Sequence, residues 1–274
     1  MKTKQSGVSA ELSRNFIDSK AAKNVIAVVN QKGGVGKTTT VLNLAAGFAR
    51  RKQKVLVIDL DPQGNTTTGC GLEKNQLETS IYDVLINDLD INSAVLPTEK
   101  AGFDIIPANR NLSGAEIELV DLDKRESRLK HGLAKLKKHY DMILLDCPPS
   151  LSLLTLNGLI AAHYILVPIQ CEYYALEGLT DLLNTIDRLK GGLNPDIKLL
   201  GIVRTMFDQR NNLSLQVSAQ LFTHFSKKMC KTFIPRNVRL AEAPSFGLPG
   251  VVFDSQASGS VAYMGLAKEL LKRL

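Results

Sequence analysis

Residues 25–39 read Val25-Ile26-Ala27-Val28-Val29-Asn30-Gln31-Lys32-Gly33-Gly34-Val35-Gly36-Lys37-Thr38-Thr39, and the reading of this stretch decides the fold. Its first five residues are all apolar. That run is too short for a helix and too uniform for a half-exposed strand, so it reads as a strand buried on both faces. Glycines follow at 33, 34 and 36, and from Thr38 to Arg51 the apolar residues recur with helical spacing. The glycines let the backbone bend so that successive N–H groups point inward. The helix start adds unpaired N–H groups and a partial positive charge. Together they make an anion nest. A plain glycine turn between strand and helix would use the same glycines, but it would not require Gly36-Lys37-Thr38-Thr39 to follow.

The rhythm repeats outward from there. Short apolar runs recur at Val55–Ile58, Met142–Leu145, Ile165–Val167 and Leu199–Val203. Helical patterns separate them, notably at Lys124–His139, Leu176–Lys190 and Asn212–Lys228. Such alternation implies an α/β fold, a mostly parallel sheet with helices on both faces. Residues 72–122 are less regular, with one further short run at Phe103–Ile106, and are expected to form a lobe or sheet edge rather than a second domain. Residues 1–23 are Ser/Lys-rich and weakly periodic, so a flexible basic extension is expected there, with a single P-loop domain over 24–274.

Composition narrows the class. The chain has 274 residues, 44% hydrophobic and 22% charged, which excludes wholesale disorder, collagen and coiled coil. No apolar run reaches the length that spans a bilayer, and the N-terminus lacks an apolar signal core, so a cytoplasmic protein is expected. Cys70, Cys147, Cys171 and Cys230 are scattered, without a C-x-x-C or nearby His pair, which argues against a disulfide framework or structural zinc. Net charge is +7, of which residues 1–23 carry five Lys/Arg against two Asp/Glu. A basic body is compatible with nucleic acid, but charge alone decides nothing.

The loop fits K-G-G-x-G-K-[ST] rather than the ordinary Walker A spacing, which wants glycine where this chain has Gln31. In such a loop the backbone of Gly33, Gly34, Val35 and Gly36, with Thr38 and Thr39 at the helix start, cradles phosphates. Lys37 is placed to reach the outer phosphates and the Thr38 hydroxyl to ligate magnesium. The additional cation, Lys32, stands at the mouth of the loop. A positive charge there reaches phosphates held by another subunit, the role of an arginine finger supplied in trans.

Two strand ends are acidic. Ile58-Asp59-Leu60-Asp61-Pro62-Gln63-Gly64-Asn65 closes the second strand, at the edge where open parallel sheets place ligands. Alternate residues of an extended segment face the same way, so Asp59 and Asp61 face the phosphates together or are both solvated loop acids. Met142-Ile143-Leu144-Leu145-Asp146-Cys147-Pro148-Pro149-Ser150 is an apolar strand ending in a carboxylate, a Walker B arrangement in which Asp146 holds magnesium through its water shell. Pro148 and Pro149 cannot continue a ladder, so the chain leaves the sheet there. Cys147 reads as a buried thiol. His131, His139, His163 and His224 fall in no constellation.

These motifs resemble those of the deviant Walker A ATPases, the ParA/MinD group. Two longer stretches narrow the likeness to the Soj-type ParA branch: Gln170-Cys171-Glu172-Tyr173-Tyr174-Ala175-Leu176-Glu177-Gly178 and Ile234-Pro235-Arg236-Asn237-Val238-Arg239-Leu240-Ala241-Glu242-Ala243-Pro244-Ser245. The resemblance covers about residues 24–274. It implies a sandwich of two subunits around two ATP molecules, with Lys32 crossing the interface. It also implies that Asp61 positions the attacking water, with Asp59 in support. Pro235 and Asn237 would lie beside the adenine, and Asn237 has both a donor and an acceptor for a base edge. Arg210 and Arg239 would contact DNA, and Arg204, Arg236, Lys227, Lys228 and Lys231 would extend that face. Tyr173 and Tyr174 would pack near the dimer interface. One departure stands out: Phe246-Gly247-Leu248-Pro249 lies where the family often has Gly-Lys-Pro, so a cation is missing.

The function so implied is partition of a chromosome or plasmid. An ATP-dependent homodimer would bind nonspecific double-stranded DNA at the nucleoid, and hydrolysis stimulated by a ParB-like centromere-binding protein would release it. Binding through phosphates ignores sequence and weakens with salt. The alternative is a MinD-like membrane-positioning ATPase. Its motive is a C-terminal helical run with Tyr263, Leu266, Leu270 and Leu274 on one face and cations elsewhere. The plainer expectation is a last core helix and no stable membrane association. A scaffold that binds ATP without turning it over is disfavoured by the intact Lys32, Lys37, Asp61 and Asp146.

Overall fold

The computed structural model describes residues 22–274. The expected extension therefore falls largely on residues 1–21, outside the described residues, while Ala22 and Lys23 belong to the first strand. The strands are β1 (Ala22–Val28), β2 (Val55–Asp59), β3 (Leu96–Pro97), β4 (Asp104–Ile106), β5 (Tyr140–Asp146), β6 (Tyr164–Gln170) and β7 (Lys198–Thr205). Between them lie α1 (Lys37–Ala49), α2 (Asn65–Gly69), α3 (Ile81–Leu85), α4 (Leu112–Glu118), α5 (Arg128–Leu133), α6 (Leu153–Ala161) and α7 (Ala175–Lys190). After β7 come α8 (Asn212–Phe225), α9 (Val238–Glu242), α10 (Gly250–Phe253) and α11 (Ser258–Leu271).

The strands form one sheet in the order β3-β4-β2-β5-β1-β6-β7, parallel except for the short β3. Side chains alternate across it. Val25, Ala27 and Val29 enter one core while Ile26 and Val28 enter the other, which is why the run is apolar at every position. From β1 the chain passes β5 to reach β2, and later crosses from β5 to β6. The C-terminal end of β1 is thus the switch point where connections diverge, the place where open sheets bind ligands.

One expectation changes, while the sheet edge and the last core helix are found as expected. The helical pattern at Lys124–His139 yields only the short α5. Asn157 begins it by accepting from the Leu129 N–H at 3.0 Å and donating to the Arg125 carbonyl at 2.7 Å. Asn92 ends it, donating to the Lys135 carbonyl and accepting from the Lys137 N–H, both at 2.9 Å, so that backbone has partners outside a helix. Residues 72–122 supply the sheet edge, including the two-residue β3, which is too short to show periodicity. The C-terminal run is a core helix. Tyr263, Leu266 and Leu270 of α11 are buried against the α1 side of the sheet. A Cβ on Gly47 would sit 3.1 Å from that of Ala267, so glycine there sets how closely the two helices approach. Among the described residues no helix is long and apolar enough to cross a membrane.

Candidate functional site

The loop after β1 is pinned from two strands on one side, β6 and β7. The Asn30 side chain donates to the Pro168 carbonyl of β6 at 2.7 Å and accepts from the Lys32 N–H at 2.9 Å. Thr205, at the end of β7, donates to the Val35 carbonyl at 2.8 Å. Between these anchors Gly34 and Gly36 adopt φ of +73° and +85°, left-handed values that favour glycine. Gly36 is the N-cap of α1 and has no side chain to satisfy the first helical amides. Gln31, Lys32, Gly33 and Gly34 are exposed, so the cradle opens to solvent.

Beneath the loop the polar side chains are buried. Lys37 is 7% exposed and donates to the Lys32 carbonyl at 3.4 Å. Burial pulls its ammonium below the ordinary lysine range, opposed by the charges of Asp146 and Asp61. Asp146 is fully enclosed. Its Oδ2 accepts from the Thr38 hydroxyl at 2.8 Å and from the Thr66 hydroxyl at 2.6 Å, while its buried Oδ1 has no hydrogen-bond partner. Asp59 is its register partner on the adjacent strand. It accepts from the Thr67 N–H at 2.9 Å, the Thr67 hydroxyl at 2.7 Å and the Asp61 N–H at 3.2 Å. Burial raises both carboxyls above the ordinary range, with Asp146 adding to the rise at Asp59 and Asp61 to that at Asp146. Asp61 lies nearer the surface and accepts from the Gln63 N–H at 2.9 Å. Asp59 thus shapes the turn that presents Asp61. Thr66 and Thr67 were missed by sequence reasoning. Their signal was a run of hydroxyls, Thr66-Thr67-Thr68, directly after the acidic turn.

A cleft adjoins the loop, lined by Gly34, Gly36, Thr39, Thr205, Met206, Ile234, Pro235, Asn237, Leu240, Ala241 and Tyr263. Pro235 and Asn237 therefore share a wall with the glycine loop. Asn237 is also the N-cap of α9, accepting from the Leu240 N–H at 3.3 Å and donating to the Ser258 hydroxyl at 3.0 Å. One amide hydrogen and one lone pair remain to it. Met206, at φ +48°, is a left-handed non-glycine residue in the same wall.

Three of the candidate cations, Lys32, Arg210 and Arg239, form ion pairs within the chain. Lys32, half exposed, forms an ion pair with Glu172, a residue of the quoted 170–178 stretch to which sequence reasoning gave no role. Arg210 is almost fully exposed and holds Asp208 through two 3.0 Å bonds, which, with the Arg210 backbone N–H, bring that carboxyl down to about 2. Arg239 pairs with Glu242 at 2.9 Å and lies 3.6 Å from Asp254. Arg236, Lys227, Lys228 and Lys231 are exposed as expected. Arg204 is not part of that face. It is 8% exposed, its guanidinium 4.8, 4.9 and 5.4 Å from the rings of Phe207, Phe222 and Phe233. Tyr173 and Tyr174 are exposed and meet edge to face at 5.1 Å, and Cys147 is buried.

A glycine cradle at the switch point of a parallel sheet, closed below by a buried lysine and a strand-end aspartate, defines a P-loop nucleotide-binding domain. Residues 23–199 match a family model described as an AAA domain. The chain is 49% identical over 249 residues to the chromosome partitioning protein ParA of Myxococcus xanthus, covering 91% of this chain and 88% of that protein. It is 50% identical over 246 residues to the sporulation initiation inhibitor protein Soj of Bacillus subtilis, covering 90% and 97%. Among solved structures, cobyrinic acid a,c-diamide synthase from Mycobacterium smegmatis with bound ADP and magnesium is similar at TM-score 0.80 and 38% identity, over 91% of this chain and 94% of that one. This chain belongs to the ParA/Soj family of chromosome-partitioning ATPases.

Proposed function

We propose that this protein is an ATP-driven DNA-partition switch of the cytoplasm and nucleoid. ATP and magnesium at the glycine loop join two copies, the pair holds double-stranded DNA without regard to sequence, and hydrolysis stimulated by a ParB-like partner releases it. The observation that carries this reading is the meeting of Lys37, Thr38 and Asp146 beneath an exposed glycine loop. The donor set suits magnesium, which takes one or two carboxylates plus substrate phosphates rather than an all-protein cage. Asp146 offers a buried oxygen without a partner and Thr38 a hydroxyl. Among the described residues no cluster of three or more His, Cys, Asp or Glu competes for a metal. The ADP and magnesium of the Mycobacterium smegmatis structure support the same ligands here.

Thr38 and Asp146 would hold magnesium there, supplying positive charge against the negative charge developing on the phosphates. The residues do the positioning. Amides of Gly33, Gly34, Val35 and Gly36 orient the phosphates. Lys37, whose charge is disfavoured by burial, gains from an anionic partner. Asp61 orients the attacking water, Pro235 and Asn237 flank the base, and no covalent step is needed. Lys32 leaves Glu172 to reach phosphates of the second copy. Arg210 and Arg239 give up exposed acidic partners for DNA phosphates. The membrane alternative loses its motive, because the apolar stripe of α11 is already buried.

The test is binding to a random-sequence duplex with no nucleotide, ADP or ATP, at two salt concentrations, with Asp61→Ala included to hold the ATP state. Tight, salt-sensitive binding in ATP alone is expected. An absence of DNA binding in every state would overturn the proposal and make anionic liposomes the next surface to try.

A further inference from the structure

The short helix α2 places two consecutive threonines, both fully buried, against two carboxylates on adjacent strands. Thr67 bonds to Asp59 and accepts from the Ala108 N–H at 2.9 Å. Thr66 reaches Asp146, 80 residues away. The exposed Thr68 shows what a helical threonine ordinarily does, donating to the Gly64 carbonyl one turn back at 3.1 Å. Thr66 instead spends its hydroxyl on the carboxylate. Its backbone is held in place from outside as well. Helix α2 lies against α1 at Gly69, where a Cβ would sit 2.6 Å from Leu42 Cδ1.

Asp146 has two oxygens in unlike states. Oδ2 receives both hydroxyls, and Oδ1 is buried without a partner. The torsion that turns a carboxylate is broad and roughly two-fold. A single hydrogen bond therefore fixes the plane poorly. Thr38 is the weaker anchor, because its oxygen is also wanted by the metal. Thr66 has no such second duty.

We infer that Thr66 is a positioning residue for the metal-site carboxylate, holding Oδ2 of Asp146 so that Oδ1 stays free toward magnesium and its waters. This rests on the nucleotide reading proposed above. It also ties the segment that carries Asp61, five residues before Thr66, to the metal site. Groups that orient metal ligands typically carry 10- to 100-fold of metal affinity, and magnesium held through water belongs at the lower end.

The experiment is a magnesium titration of fluorescent-ATP binding to wild type, Thr66→Val and Thr66→Ser, with ADP binding in EDTA and Tm as controls. Valine keeps the volume and removes the hydroxyl, and Thr66→Ala replaces it should the valine variant not fold. The magnesium concentration for half-maximal binding is expected to rise about 10-fold in Thr66→Val. Serine should restore it, and metal-free ADP affinity should not change. A lower Tm with an unchanged magnesium requirement would mean a merely structural threonine and overturn the inference. If wild type binds nucleotide with no dependence on magnesium, the nucleotide reading falls first and takes this inference with it.

Discussion

At the glycine loop the strand-end carboxylate Asp146 and the loop backbone at Val35 are fixed by residues far away in sequence, whereas at the basic edge Arg210 and Arg239 make their shortest ion pairs with acids close by. Asp146 is held by Thr38 and Thr66, 108 and 80 positions away, and Val35 by Thr205 across 170. Arg210 is held by Asp208 two positions off, and Arg239 by Glu242 three positions off. The first arrangement is part of the fold and is buried. The second is exposed, where ion pairs contribute only ~0–1 kcal/mol, so in the proposed function these arginines would exchange an acid for a phosphate at little cost. The loop site is rigidly framed, and in the proposed function the edge would be the part switched and tuned by salt.

The sharpest way to break this contrast is at Lys37. Lys37→Ala removes the buried cation facing the phosphates, and nucleotide affinity is expected to fall about 100-fold or more, as for truncation of one partner of a buried charge pair. Fluorescent-ATP titration measures it. A loss below threefold would show that the loop amides alone hold the phosphates. Next in size is Asp61→Ala. ATP binding should survive while hydrolysis falls about 100-fold, the lower range for removing a group that handles the attacking water's proton. Phosphate release in single turnover checks this, and an unchanged rate would assign the water to another residue.

The edge should respond more gently and through salt. With Arg210 and Arg239 each counted twice in a dimer, the plot of log affinity for random duplex against log salt should have a slope of about −3.6 or steeper. Arg210→Ala or Arg239→Ala should each flatten it by about 1.8 while leaving ATP-dependent dimerisation intact. An unaltered slope in both variants would remove these residues from the face, leaving Arg236, Lys227, Lys228 and Lys231 to be tried.

The same contrast explains what could be read beforehand. The placement of the loop, Asp61 and Asp146 was legible because they lie in contiguous motifs at strand ends. Thr66 and Glu172 were not, because their partners lie 80 and 140 residues away and nothing local marks the pairing. Arg204 was misassigned to the surface for a related reason. Its charge is visible in sequence, but the three rings that bury it come from residues 207, 222 and 233. Helix α5 was overextended because helical spacing continues through residues whose backbone Asn92 claims. The dihedral strain at Met206 has no sequence signal at all.

Asn237 belongs to both regions, lining the cleft beside the loop while capping the helix that carries Arg239, and it gives the smallest effect and the finest discrimination. Asn237→Ala loses the cap, which should lower stability by ~1 kcal/mol in a denaturant titration. Asn237→Asp keeps an oxygen to accept from the Leu240 N–H, and aspartate caps about as well as asparagine, so stability should hold. The carboxylate has no N–H to give, however, so any preference for ATP over GTP that rests on this side chain should weaken in both variants alike. Stability lost only in the alanine variant, with base preference weakened in both, would mean that one residue serves the helix and the base at once. Base preference unmoved in both would confine Asn237 to the cap and leave Pro235 and backbone groups to flank the base.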